Sequence, residues 1–509
     1  MGPGSLTDVK ELAKKGDYRL IPLIRELMAD IATPVQVMRK LKNVSDHCFL
    51  LESVEDSRQW GRYSFLGYEP TMQITLKDHV LTVTNVNGEV NQIKTNEPGA
   101  FISSLVSENK SPRIEGLPTF TGGLVGYFSY DYMQYPEPSL HFKAKNEYDF
   151  SDMDLMLFEN LIVFDNLRQK IMLIANVHVP KSDSESVEGA DNSFDTELKK
   201  EYEKALKKLD EMENLIINGP CKEIEKGRLL EEIKPVFSKE EYCEKVNAVK
   251  QRIVDGDIFQ LVLSNPMEAK FEGSLFDTYR VLRTTNPSPY MFYFSGDTEI
   301  AGASPETLVK VTDGVIRTFP LAGTRPRGAT YEEDVALEKE LLADEKERAE
   351  HNMLVDLGRN DLGKLCKFGT VEVEKYMEIE RYSHVMHIGS SVKGQLLDGK
   401  NAVEAVDSVL PAGTLSGAPK IRACQIIDEL EGIKRGIYGG AIGYVDFTGN
   451  LDTCIAIRLA YKKSGKVFVR SGAGIVADSV PENEFIECTN KAKAVVNAIY
   501  TSSESEKKG

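Results

Sequence analysis

Tight turn signals between alternating apolar runs constrain this chain more than any other feature. Asn87-Gly88 separates His79–Thr84 from Glu89–Lys94, and Asp313-Gly314 separates Thr307–Thr312 from Val315–Phe319. Asn-Gly and Asp-Gly supply the positive-φ positions of a two-residue hairpin, and the flanks alternate as half-buried strands do. Asp165-Asn166 joins 157–164 to 170–177 in the same way. A meander from Ala441 to Val476 turns at Thr448-Gly-Asn450 and at Ser464-Gly465. Strands joined so closely are antiparallel, because a parallel pair needs a crossover of about a dozen residues or more. The expected fold is therefore α+β, with large antiparallel β-sheets in a two-layer sandwich and helices packed outside.

Helical spacing marks 196–217, 240–254, 332–357, 401–408, 419–431 and 481–500. The last stretch opens with Ser479-Val-Pro-Glu482, a capping-box spacing with proline in the first turn. From Lys181 to about Asp195 apolar residues vanish, which predicts an exposed loop or linker. The chain divides accordingly into 17–180, a linker and surface helix over 181–235, and 236–502. Residues Met1–Ser5 carry no signal-peptide pattern and are set aside as an expression remnant.

Composition excludes some functions. With 62 basic and 79 acidic residues the chain carries −17, which argues against nucleic acid as main partner. No apolar run approaches the roughly 20 residues of a membrane span. Seven scattered cysteines without a CxxC pair fit a reducing cytoplasm and no zinc site.

Several clusters carry possible chemistry. Glu347 and Glu350 share one helix face, as do Glu484 and Glu487, with Lys491 a turn further on. On spacing alone such pairs read first as solvated helix faces; the alternative is oxygen ligands for a hard cation such as Mg²⁺. Leu321–Arg327, Pro411–Gly417 and Ser471–Gly474 are glycine-containing stretches that singly read as tight turns, although their N–H groups also suit a carboxylate or phosphate. His384 and His387 lie on an apolar segment, and Arg458 ends a strongly apolar strand, where it could clamp a carboxylate or pair within the protein.

Taken together, Ser304–Glu306, Leu321–Thr324, Glu350-His351 leading to Asp356–Asp361, Arg381–His387, Pro411–Lys420, Tyr438–Tyr444 and Glu484–Lys491 occur in one family's order. The chain resembles the chorismate-utilising enzymes over about residues 18–502, most closely the large synthase subunits of anthranilate synthase. The resemblance implies an enzyme of tryptophan biosynthesis that binds chorismate with Mg²⁺. Glu350 and Glu487 match the metal ligands, with Glu347 and Glu484 beside them. Substrate contacts fall on Gly323, Thr324, Tyr438, Arg458, Gly472, Ala473, Gly474 and Lys491. Glu306 matches the general acid for the departing C4 hydroxyl, while His387 and Thr414 match residues tied to pyruvate elimination.

Two positions separate the subfamilies. Gln260 stands where water-adding relatives carry a lysine base, and Ala322 where many aminodeoxychorismate synthases carry a nucleophilic lysine. Both imply an aminating enzyme that proceeds to anthranilate. Leu50–Ser53 and Asn286–Met291 resemble the family's tryptophan feedback site, with Ser53, Pro289, Tyr290 and Met291 lining it and Trp60 as its expected fluorescent reporter. No Gly-x-Cys-x-Gly motif surrounds a cysteine. The resemblance therefore implies ammonia from a separate glutaminase subunit, in a heterotetramer of two synthase and two glutaminase chains. An aminodeoxychorismate synthase component and a non-catalytic tryptophan-sensing subunit are the alternatives.

Overall fold

The computed structural model describes residues 3–53, 61–181, 190–382 and 385–504. Trp60, His384 and most of the expected linker at 182–189 lie outside the described residues. Within them the strands form one sheet of 13 and one of 12, and the strand pairings that define them are antiparallel. The first runs from Leu20–Met28 through Lys170–His178, Asn160–Asp165, Tyr63–Tyr68, Cys48–Glu52, Tyr290–Ser295, Glu299–Ser304, Leu459–Lys463 and Lys466–Ile475 to Gln260–Glu272. The second runs from Leu321–Pro326 through Val385–Gln395, Val315–Thr318, Thr307–Thr312, Leu451–Ile455 and Ala441–Asp446 to Gly123–Phe128, Met153–Phe158 and the hairpins of 72–94. Residues from 17–180 and from 236–502 supply strands to both sheets.

Alternate side chains along each strand face opposite layers, and both faces are buried in strands such as Tyr63–Tyr68, Met153–Phe158 and Tyr290–Ser295. Phe49, Phe65, Phe292 and Phe294 from one sheet meet Val125, Met156, Phe158 and Tyr444 from the other in the core between them. Their neighbours Leu50, Leu66, Met291 and Tyr293 face outward onto helices Pro34–Val44, Phe276–Thr285 and Pro481–Glu504. On the far side, Met153, Leu155 and Leu157 pack against Pro98–Glu108, Glu345–Gly363 and Ala402–Val409. The predicted two-layer sandwich with helices outside is this arrangement, and strands buried on both faces explain why so many read as continuous apolar runs.

The expected hairpins form, with Asp313 and Gly314 at φ 51° and 79° and Ser464 and Gly465 at 50° and 75°. Several local expectations need correction, the first being the loop expected over 181–195, because a helix already starts at Ala190 and runs to Asn218. The strand expected over 157–164 is two, Met153–Phe158 and Asn160–Asp165, because the chain changes sheets at Glu159. The helix expected over 332–357 breaks at Asp344, whose carboxylate caps a new helix by accepting from the Lys346 and Glu347 N–H groups. Ser479 makes no capping box, because the helix starts at Pro481 and the Ser479 hydroxyl accepts from the Val476 N–H instead. Ser5, set aside by the sequence reading, caps Leu6–Lys15 in a capping box with Asp8.

Candidate active site

Two chain corners, side by side, carry the central charged groups. Between Glu299–Ser304 and Thr307–Thr312 the chain passes from the first sheet to the second at Pro305-Glu306, and between Leu451–Ile455 and Leu459–Lys463 it returns at 456–458. The corners are stitched together. The Ile455 N–H donates to the Glu306 carbonyl (2.9 Å), the Ser304 hydroxyl to the Ile455 carbonyl (2.7 Å), and the Ala303 N–H to the Arg458 carbonyl (3.0 Å). Arg458 is held at φ 51°, a left-handed conformation that costs a non-glycine residue on the order of 1–3 kcal/mol.

Glu306 accepts a hydrogen bond from the Thr414 hydroxyl at 3.1 Å. Burial pushes its carboxyl up to about 7, against the pull of that hydroxyl and of the Arg458 and Lys491 charges. His387 Nδ1 lies 2.8 Å from the Gly323 carbonyl and 3.1 Å from the Thr324 hydroxyl. Burial lowers its pKa, so the ring is neutral near pH 7. An Nδ1–H donated to the carbonyl leaves Nε2 free to accept a proton.

The carboxylate pairs sit on separate helices. Glu350 accepts from the Gln260 amide (3.2 Å), and Glu487 pairs with Lys491 (2.8 Å). Burial and the neighbouring Glu350 raise the Glu347 pKa. Burial also raises that of Glu484, with Glu487 adding to it, and Glu484 Oε2 is buried without a hydrogen bond. Among the described residues no three or more His, Cys, Asp or Glu side chains form a metal cluster by themselves. Mg²⁺ does not need one, since it takes one or two carboxylates and fills its octahedron with water and substrate oxygens. The all-oxygen donor set, the crowded carboxylates and the unpaired Glu484 oxygen fit such a cation. Glu487, Lys491, Arg458 and Asn286 line one open cavity of about 540 Å³.

Gly472, Ala473 and Gly474 belong to the strand Lys466–Ile475, opposite Ser264, Leu263 and Val262. A Cβ on Gly472 would stand 2.8 Å from the Leu263 carbonyl and 3.2 Å from the Tyr438 hydroxyl, and one on Gly474 would stand 3.1 Å from the Gln260 amide nitrogen. These expected contacts therefore adjoin Tyr438 and Gln260.

A second cavity, of about 370 Å³, opens at one end of the inter-sheet core. Ser53, Pro289, Tyr290 and Met291 all line it. The Ser53 hydroxyl is buried with no partner, a donor left for a ligand. Tyr290 donates to Asp452 (2.7 Å) and lies 3.0 Å from the Thr307 hydroxyl. Tyr444, which ends one of the family-like motifs, and Asp452, which the sequence marks only as part of a strand, also line it; their alternation with core positions gives no sign of a cavity.

Residues 46–497 match the model of the chorismate binding enzyme family. The chain is 45% identical to anthranilate synthase component 1 of Acetivibrio thermocellus, over 98% of this chain and 99% of that protein. It is 44% identical to the protein of the same name from Aquifex aeolicus, over 99% of each. A crystal structure of anthranilate synthase component I from Streptococcus pneumoniae superposes with a TM-score of 0.72 at 37% identity, covering 92% of this chain and 99% of that one.

Proposed function

The chain belongs to the family of chorismate binding enzymes, and from that premise we infer that it is an anthranilate synthase component 1, converting chorismate and ammonia to anthranilate, pyruvate and water. The observation that carries the mechanism is the Glu306 corner. A carboxyl pushed up to about 7 keeps its proton near neutrality, so it can protonate the C4 hydroxyl as it departs. Thr414 holds that carboxyl by one oxygen. Arg458 and Lys491, in one cavity, offer cationic donors to a dianionic substrate that the overall −17 charge repels. Gln260 is a neutral amide that cannot deprotonate water, which suits ammonia, already a nucleophile. His387 offers a neutral Nε2 to accept a ring proton as pyruvate leaves.

Glu350 and Glu487 would hold Mg²⁺, with Glu347 and Glu484 beside them. When bound, the ion would neutralise negative charge on the substrate. The second cavity would take tryptophan as a feedback inhibitor at Ser53, Pro289, Tyr290 and Met291. Its support is that Ser53 and the segment Pro289–Met291, far apart in sequence, line one space with an unpaired hydroxyl in it. Ammonia would come from glutamine through a separate glutaminase subunit, in a cytoplasmic heterotetramer. No helix of the described residues is long and apolar enough to cross a membrane.

The test is the purified chain with chorismate and Mg²⁺, supplied with ammonium or with glutamine. Anthranilate fluorescence appears with ammonium and not with glutamine alone. Turnover with glutamine alone would contradict the separate glutaminase, and chorismate consumption without anthranilate would point to an aminodeoxychorismate product.

A further inference from the structure

Beneath the site lies a closed ionic cluster that the reaction as described does not use. Glu431, Arg435 and Arg470 are only 2–3% exposed. Arg435 grips the Glu431 carboxylate with Nε (2.9 Å) and Nη2 (2.6 Å). Its remaining reach goes to two backbone carbonyls, Leu415 from Nη1 (2.5 Å) and Val262 from Nη2 (2.7 Å). Arg470 donates to Glu431 Oε2 (2.6 Å), the oxygen Arg435 Nε also holds, and to the Ser264 hydroxyl (2.8 Å), while the Ser264 N–H and hydroxyl both donate to Glu431 Oε1. The Arg435 guanidinium also covers the Tyr130 ring at 4.5 Å.

Buried ion clusters are poor stability devices, since well-packed apolar replacements often do as well. They do fix geometry, and both carbonyls that Arg435 holds adjoin the site, while Arg470 Nη1 holds the Lys434 carbonyl (3.0 Å) next to Arg435 itself. Leu415 follows Thr414, whose hydroxyl bonds Glu306. Val262 pairs with Gly474 and Ser264 with Gly472, and Arg470 precedes Gly472 by two residues on the same strand.

We propose that Arg435 is a positioning residue for the reaction: held by Glu431, its guanidinium pins the Thr414 turn to the strand Gln260–Glu272 and so sets the Thr414–Glu306 hydrogen bond. It touches no reacting atom and acts through Thr414. The proposal rests on the reading of Glu306 as the general acid.

Arg435→Lys keeps the charge, but a single ammonium cannot span Glu431 and both carbonyls as the fork does. Two quantities decide the matter. The first is steady-state chorismate consumption, where kcat should fall about tenfold to a hundredfold with KM little changed. The second is the titration of Glu306 in the unliganded protein, followed as the pH-difference infrared band that Glu306→Gln removes. The charges acting on Glu306 are Arg458 and Lys491, which the substitution leaves in place, so the midpoint should rise as the Thr414 bond is lost. An unchanged kcat and midpoint, or a raised KM with kcat intact, would overturn the proposal. Should Arg435→Lys fail to fold, Glu431→Gln, which keeps shape and removes the charge that aims the guanidinium, reads the same two quantities. If the wild-type protein consumes no chorismate, the reading of the reaction fails by that result, and the infrared titration still decides whether Arg435 positions Thr414.

Discussion

At Glu306, burial works against the fold and, if it is the general acid as proposed, for the chemistry. Its ordinary pKa is 4.5 and the folded value about 7. Between those values the folded state binds a proton that the unfolded chain has released, so stability falls as pH rises from about 4.5 through 7. A neutral glutamine is spared that loss. Glu306→Gln should therefore gain thermal stability over the wild type as pH rises across this window, and hold a constant gain above it. The same substitution should lower turnover about 10²–10⁴-fold. Melting curves at pH 5 and 8 check the first part; a difference independent of pH would place the carboxyl in ordinary solvent. His387→Met removes the Nε2 acceptor and the Gly323 contact together, so pyruvate release should slow more than chorismate consumption, with an aminated intermediate building up. Equal slowing of both would remove His387 from the elimination.

At the scale of elements, the site is made where strands and helices end. Gly472 and Gly474 lie two residues apart on one strand, yet an added methyl meets different neighbours. At Gly472 it meets a backbone carbonyl at 2.8 Å, which cannot yield without disturbing the strand pair. Gly472→Ala should cost about 1–3 kcal/mol of stability and raise KM for chorismate. At Gly474 it meets the movable tip of Gln260 at 3.1 Å, which also holds Glu350. Gly474→Ala should therefore leave the melting temperature nearly unchanged and raise the Mg²⁺ concentration needed for half-maximal activity. Melting curves with Mg²⁺ titrations separate the two, and identical behaviour would discard this account of the strand.

Element ends were also where sequence reading was weakest. Hairpins at Asp313-Gly314 and Ser464-Gly465 were legible because positive φ demands particular residues. The sheet change at Glu159 was not, because the apolar pattern continues unbroken from one sheet to the other. The Asp344 break was hidden inside a continuous helical periodicity, although Asp is a favoured cap. Most candidate site residues became visible only through the joint order of several motifs. Spacing alone left Glu347/Glu350 and Glu484/Glu487 as ordinary helix faces. Arg435 and Glu431 gave no signal, since an Arg four residues after a Glu is a common surface pair until burial is known.

Over the whole molecule, the sandwich joins two cavities by short steps. Tyr290 lines one cavity and reaches both Thr307, next to Glu306, and Asp452, on the strand that leads to Arg458. A ligand that shifted Tyr290 would thus bear on both corners of the proposed site. If tryptophan occupies this cavity and opposes chorismate, as proposed, linkage makes the opposition mutual: the factor by which it weakens chorismate must equal the factor by which chorismate weakens it, typically about 5–150-fold. Calorimetric titration of Glu306→Gln protein with tryptophan, with and without chorismate and Mg²⁺, measures one side of this balance without turnover. Tryptophan affinity indifferent to chorismate would break the link between the cavities.

The most direct measurement follows anthranilate and pyruvate together, from the purified chain with chorismate, Mg²⁺ and ammonium, across a tryptophan titration. The account predicts both products in equal amounts, falling in step as tryptophan is added. Chorismate consumed without pyruvate, or turnover untouched by saturating tryptophan, would contradict it.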